Sequence, residues 1–280
     1  MNSQMLHFTV RDSTIARKTL ADSGHRSVDL RLPDKLIKNS YGTLVWADEL
    51  PDGARGVFKL YRHRNLFRWW SGMFGRGRAE REYDRLLILH KAGVNCAEPL
   101  FFGRGRDRLH GRYEIIGTRE IPHARQLKAY LSEQKGRNGN PDLSGLMKTL
   151  RRLHAAGVYH GSLTPNNIVV SRTPGEDPSF YVVDLPRGAD FPYDLGPTKM
   201  GWYDIVHFIH RTSPEAGEEA CLPVLDVYGF SDRKKEQLME FLRAYKPGKW
   251  LRYRLRNEFG LSAWLSRKLH RREGTPYPKA

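Results

Sequence analysis

The run from 153 to 186 constrains the fold more than any other part of the chain. It reads Leu153-His154-Ala155-Ala156-Gly157-Val158-Tyr159-His160-Gly161-Ser162-Leu163-Thr164-Pro165-Asn166-Asn167-Ile168-Val169-Val170, and later Tyr181-Val182-Val183-Asp184-Leu185-Pro186. Upstream, Leu143, Leu146, Met147, Leu150 and Leu153 recur at helical spacing, so the run is entered from an apolar helix face that ends near Gly157. Residues 168–170 and 180–183 are short β-prone runs around the loop 173–178. The order is therefore helix, loop with His160 and Asn167, hairpin, and strand ending in Asp184.

The first half of the chain has a different period. Residues 43–47 and 56–61 are β-prone, and Pro51-Asp52-Gly53 between them is a turn signal, which predicts a hairpin. From about Arg78, Tyr83, Leu86, Leu87 and His90 fall at helical spacing, with Ala92-Gly93 as a stop. Residues 112–117 read as a further strand before a turn at Ile121-Pro122. In the second half, Trp202, Ile205, Val206 and Ile209 mark one helix, and Leu238, Phe241 and Leu242 another. The expectation is an α+β chain of two lobes, a small β-rich lobe over 1–118 and a larger helical lobe over 119–280. The hinge falls at 118–122.

Composition excludes several classes. With 39% hydrophobic and 28% charged residues in 280, the chain is neither a disordered polymer nor a fibre. It contains no apolar run near the roughly 20 residues a spanning helix needs, and residues 1–10 lack a signal-peptide layout. Cys96 and Cys221 are too few for a disulfide framework, which suits reduced thiols in a cytoplasmic protein. Lys and Arg number 47 against 31 Asp and Glu, a net charge of +16, so the surface favours anionic partners.

The histidine, the position two after it and the asparagine five further on (His160, Ser162, Asn167), followed by Asp184, resemble the catalytic and metal-binding loops of the protein-kinase-like fold. Lys59, closing the apolar strand Gly56-Val57-Phe58, sits where that fold has its phosphate-reaching lysine. Glu82 on the following helix is its partner carboxylate, with Glu80 as the other register. Gly42, in Ser40-Tyr41-Gly42-Thr43, is a single glycine where a phosphate loop has several.

Arg81-Glu82-Tyr83 with Leu86, Leu89, Ala92-Gly93-Val94 and Pro99-Leu100, then Thr118-Arg119-Glu120-Ile121-Pro122 with Ala124 and Leu127, resemble the lipopolysaccharide kinase (Kdo/WaaP) family from about 40 to 210. The resemblance implies a bilobal kinase-like fold in a Gram-negative cytoplasm. It implies ATP and Mg²⁺ as cofactors, and a sugar of the lipopolysaccharide inner core as acceptor. On this reading Asn167 and Asp184 hold the metal, Lys59, Glu82, Gly42 and the hinge residue Glu120 serve the nucleotide, and Asp204 braces the catalytic loop. Two departures stand out. The base aspartate of the family is replaced by Ser162, beside His160, and Leu185-Pro186 follows Asp184 where protein kinases have Phe-Gly. The first opens the alternative of a pseudokinase, a nucleotide-binding regulator or scaffold. Asp190 and Asp194 are the nearby acids that could stand in for the base.

Basic and aromatic residues interleave in the insert 61–78 (Arg62, Arg64, Phe67, Arg68, Trp69, Trp70, Arg76, Arg78). They suit either an anionic membrane interface or a solvated linker with packed rings. The C-terminal Leu251, Leu255, Phe259, Trp264, Leu265 and Leu269, among Arg252, Arg254, Arg256, Arg267, Lys268, Arg271 and Arg272, read as two basic amphipathic helices with the same two outcomes. The expected partners are an anionic glycolipid or sugar acceptor and, peripherally, the inner membrane. No nucleic-acid motif accompanies the charge.

Overall fold

The computed structural model describes residues 5–13, 27–31, 36–40, 42–50, 52–63, 77–107, 111–136, 142–173, 175–185, 187–217 and 222–244. Most of the basic insert (64–76) and the basic C-terminal segment from 245 onward lie outside them. The chain divides into two units: 1–87, 97–122 and 184–186 form the first, and 88–96, 123–183 and 187–280 the second. Val182 donates its N–H to Asn95 at 3.0 Å, which ties 88–96 to the second unit. Residues 184 and 185 are bonded instead to Lys59 and Arg85 of the first unit.

The first unit is an antiparallel sheet with strand order β2-β1-β6-β7-β5-β4-β3. Its strands are β1 (Met5–Ser13), β2 (Ser27–Arg31), β3 (Lys38–Ser40), β4 (Thr43–Glu49), β5 (Arg55–His63), β6 (Pro99–Asp107) and β7 (Gly111–Arg119), with helix α1 (Arg78–Lys91) between β5 and β6. The strand expected first from the sequence, at Thr43, is thus the fourth. Met5–Ser13 pairs with β6, 88 to 97 positions away, a partnership that leaves no local mark. Ser40 opposes Thr43, so the single-glycine motif is the hairpin turn joining β3 to β4, with Gly42 at a φ of 88°.

Alternation along β5 decides what faces what. Phe58 and Leu60 enter the core with Leu6, Leu44, Trp46, Leu100, Phe101, Tyr113 and Ile115, and Trp46 stacks on Phe58 with ring centroids 5.6 Å apart. Lys59 and Tyr61 therefore share the opposite face. Helix α1 buries Ala79, Glu82, Tyr83, Arg85, Leu86 and Leu89, and Tyr83 packs on Phe102 of β6 at 5.2 Å.

The second unit comprises β8 (Ala124–Gln126), α2 (Leu127–Gly136), α3 (Ser144–Ala155), β9 (Val158–Tyr159), a 3-10 turn (Pro165–Asn167), β10 (Ile168–Ser171), β11 (Ser179–Val182), β12 (Ala189–Asp190), α4 (Lys199–Ala216), α5 (Pro223–Val227) and α6 (Asp232–Ala244). Helix α3 buries Leu146, Met147, Leu150 and Leu153 completely. Truncating one of these to Ala would cost about 2–5 kcal/mol. The β10–β11 hairpin pairs Ile168 with Val182. Among the described residues no helix is long and apolar enough to cross a membrane.

Candidate active site

The polar face of β5 meets α1 in the first unit. Lys59 Nζ donates to Glu82 Oε1 at 2.9 Å and to Asp184 Oδ1 at 2.8 Å. Glu82 rather than Glu80 is the partner carboxylate, and Glu80 pairs with Arg104 at 2.7 Å. Burial alone would push the Lys59 ammonium down, but the charges of Glu82 and Asp184 outweigh it and hold its pKa above the ordinary lysine value. Tyr61 donates its hydroxyl to Glu82 Oε2, so both oxygens of a carboxylate only 3% exposed are engaged. Burial and the same two carboxylates push the Tyr61 phenol well above its ordinary value, which keeps it a donor.

The N-terminus of α1 is fastened to the sheet. Ala79 donates its N–H to Glu114 Oε2 on β7 at 3.1 Å, placing a carboxylate at the positive end of the helix dipole. A Cβ on Gly77 would lie 1.6 Å from Glu114 Oε1, so a larger residue there would displace the carboxylate from the Ala79 N–H. This fixes the position of Glu82 one turn later.

Asp184 takes a φ of 63°, the left-handed region that Asp and Asn enter more readily than other side chains. The Asp184 side chain is 38% exposed, so its carboxylate is only partly covered by the pair with Lys59.

In the second unit Asp204 on α4 organises the loop that carries His160 and Ser162. Its carboxylate accepts the His160 N–H at 2.6 Å and the Gly161 N–H at 3.1 Å, and His154 Nε2 lies 3.3 Å away. Gly161 has a φ of 72°, and a Cβ on it would meet the Arg187 carbonyl oxygen at 2.8 Å, so only glycine fits. His160 is fully buried, with Nε2 3.1 Å from the Val183 carbonyl, to which it donates. The Tyr228 hydroxyl lies 2.6 Å from His154 Nδ1 and 3.1 Å from the Leu150 carbonyl, which extends the buried network to the end of α5.

The Asn167 amide donates to the Ser162 carbonyl at 2.8 Å, which assigns its nitrogen and so identifies Oδ1 as its acceptor atom. The Asn167 carbonyl accepts the Val183 N–H at 3.1 Å, one residue before Asp184. Amide and carboxylate oxygens are each donor types that Mg²⁺ takes, alongside phosphate oxygens and waters. Among the described residues no group of three or more His, Cys, Asp or Glu forms a metal cage.

Other sequence-derived candidates have different partners. Gly42 lies in the β3–β4 turn, and its carbonyl accepts the Arg62 N–H at 2.9 Å. Glu120 is ion-paired with Arg55 at 2.8 Å through its side chain. Asp194 is held by a bidentate pair with Arg151 at 3.0 and 2.6 Å, which commits it to structure. Sequence reasoning missed Tyr61, Arg85, His154 and Tyr228. The i+2 spacing of Tyr61 from Lys59 and the i+3 spacing of Arg85 from Glu82 were the available signals.

Comparison with solved structures gives WaaP in complex with acyl carrier protein, at TM-score 0.55 and 20% identity, covering 86% of this chain and 89% of that one. The Rio2 kinase ADP/Mg²⁺ phosphoaspartate complex from Chaetomium thermophilum follows at TM-score 0.45 and 15% identity, covering 76% and 71%. No curated protein sequence matches. The WaaP likeness gives the kinase-like fold, and the model of the lipopolysaccharide kinase (Kdo/WaaP) family matches residues 45–191. That span is more than half of the 280 residues and runs from the strand beside Lys59 past Asp184; the chain belongs to the lipopolysaccharide kinase (Kdo/WaaP) family.

Proposed function

We propose that this kinase transfers the γ-phosphoryl group of ATP to a hydroxyl of a lipopolysaccharide inner-core sugar, at the cytoplasmic face of the inner membrane. The observation that carries the reading is Lys59 bonded at once to Glu82 on α1 and to Asp184 in its left-handed turn. Lys59 would bind the α- and β-phosphates, oriented by Glu82, which Tyr61 holds from the other side. Asn167 Oδ1 and the Asp184 carboxylate would hold Mg²⁺, which when bound neutralises charge on the phosphates as the γ-phosphoryl group leaves. Gly42 would bring the β3–β4 turn over the phosphates. With its carboxylate on Arg55 and its N–H donating to the Arg55 carbonyl, Glu120 offers only its own carbonyl to a nucleotide base.

Ser162 stands at the base position without useful basicity near neutral pH. Phosphoryl transfer has a loose transition state governed by positioning and charge, so the hydroxyl proton can leave late, to a phosphoryl oxygen or water. Ser162 then only lines the acceptor site and its hydroxyl contributes little, in a loop that Asp204 and His160 hold rigid. The same residue favours a second reading, a nucleotide-binding pseudokinase. Membrane contact rests on the charge of the 61–78 and C-terminal segments, and binding to anionic vesicles that weakens with salt tests it.

Mass spectrometry of core oligosaccharide from a deletion strain tests the function. Loss of one phosphate, restored by the wild-type gene and not by Asp184→Asn, is expected. Unchanged phosphate content in the deletion strain overturns the reading.

A further inference from the structure

Helix α1 carries a second buried polar side chain one turn beyond Glu82. Arg85 is 3% exposed, and its Nη1 donates to the Leu185 carbonyl oxygen at 2.9 Å. Leu185 is fully buried and directly follows Asp184. Burying a guanidinium is costly, whereas an apolar side chain of similar length would fill the same space without a desolvation penalty. The bond to the Leu185 carbonyl is one interaction that offsets this cost.

That bond falls at an informative place. Residues 184–186 group with the first unit, while Val183 and Arg187 on either side group with the second. The bonds that draw this short stretch to the first unit include Lys59 to the Asp184 side chain and Arg85 to the Leu185 backbone. The first holds a carboxylate that must also face a cation. The second holds the backbone carbonyl of the next residue, which anchors the chain immediately after the positive-φ turn at Asp184. Glu82 and Arg85 are three apart, neighbours on one helical face, so one rigid helix sets both the lysine and the turn.

We propose that Arg85 is a positioning residue for the metal loop: by holding the Leu185 carbonyl it fixes the turn at Asp184 and aims the carboxylate at the nucleotide's cation. This rests on the reading of Asp184 as a metal-holding side chain. Outer groups that orient a metal ligand typically change metal affinity about 10–100-fold when removed.

Two measurements on full-length protein test it. The first is amide hydrogen exchange of peptides covering 183–187 in nucleotide-free protein. The second is the Mg²⁺ concentration that gives half of the thermal stabilisation by ATP. Arg85→Met should speed exchange at 183–187 while leaving α3 protected, and raise the Mg²⁺ midpoint about tenfold or more. Arg85→Lys, with its charge but without the planar fork, should fall between. Exchange and midpoint both at wild-type values overturn the proposal, as does faster exchange spread evenly over α3. If Arg85→Met does not fold, Arg85→Lys decides by the same criteria. A wild type with no Mg²⁺-dependent stabilisation would instead defeat the functional reading, and the exchange measurement still judges Arg85.

Discussion

Replacing Asp184 by Asn and by Ala separates backbone conformation from chemistry at the centre of the site. Asp184 holds a φ of 63°, a region that Asn enters about as readily as Asp and that costs other L-residues about 1–2 kcal/mol. Its ion pair with Lys59 is 2.8 Å long, but its side chain is 38% exposed, so the pair contributes at most about 1 kcal/mol after solvent screening. Lys59 also keeps Glu82 in either variant. Asp184→Asn should therefore lower the melting temperature by no more than about 2–4 °C, and Asp184→Ala by roughly twice that. Binding behaves differently. A ligand at a hundredfold excess over its Kd stabilises by about 2.7 kcal/mol, a shift of about 5–10 °C for a chain of this size. Differential scanning fluorimetry with ATP and Mg²⁺ should show that shift in the wild type and lose its Mg²⁺-dependent part in both variants. A full Mg²⁺-dependent shift in Asp184→Asn would refute the assignment of the metal to this carboxylate.

Tyr228→Phe removes the hydroxyl shared by His154 Nδ1 and the Leu150 carbonyl, and should cost about 1–3 kcal/mol in urea unfolding; an unchanged midpoint would show that the network does not stiffen the loop. The Lys59 ammonium is held above its ordinary value, so its pairs stabilise fully below about pH 10.5 and are lost as pH rises through the folded-state value. The stability gap between wild type and Lys59→Met should accordingly stay constant from about pH 6 to 9 and close only in more alkaline buffer, which urea titrations at each pH would read. Burial pushes the Cys96 thiol up to about 12, so iodoacetamide at neutral pH should leave it unmodified in native protein and alkylate it in urea, by peptide mass mapping.

The elements nearest the site were readable because they are local. The alternation around Lys59, the helical spacing after Arg78 and the apolar face of Leu146, Leu150 and Leu153 each follow from a single window of sequence. The pairing of Lys59 with Glu82, 23 positions away, is not local and only the resemblance to the kinase-like fold suggested it; its pairing with Asp184, 125 away, had no signal in the sequence. Strand β1 has no clear local signature, because what fixes it is its register on β6, which no local window contains. Arg85 looked like any charged residue on an amphipathic helix until the carbonyl it meets, one hundred positions on, was known. Tyr228 lies beyond the family span of 45–191 and carried no signal at all.

The central claim is that Lys59, Glu82, Asn167 and Asp184 sustain phosphoryl transfer with Ser162 in place of the base. Transfer of label from γ-labelled ATP to purified lipid A–core, with wild type, Ser162→Ala, Ser162→Asp and Asp184→Asn compared, tests it most directly. Wild type and Ser162→Ala should label the acceptor at similar rates and Asp184→Asn should not. Ser162→Asp should be faster, within the roughly 10²–10⁴-fold that a general base supplies. No labelling by the wild type or by Ser162→Asp, with Mg²⁺ and ATP bound to both, would contradict the claim and leave the pseudokinase.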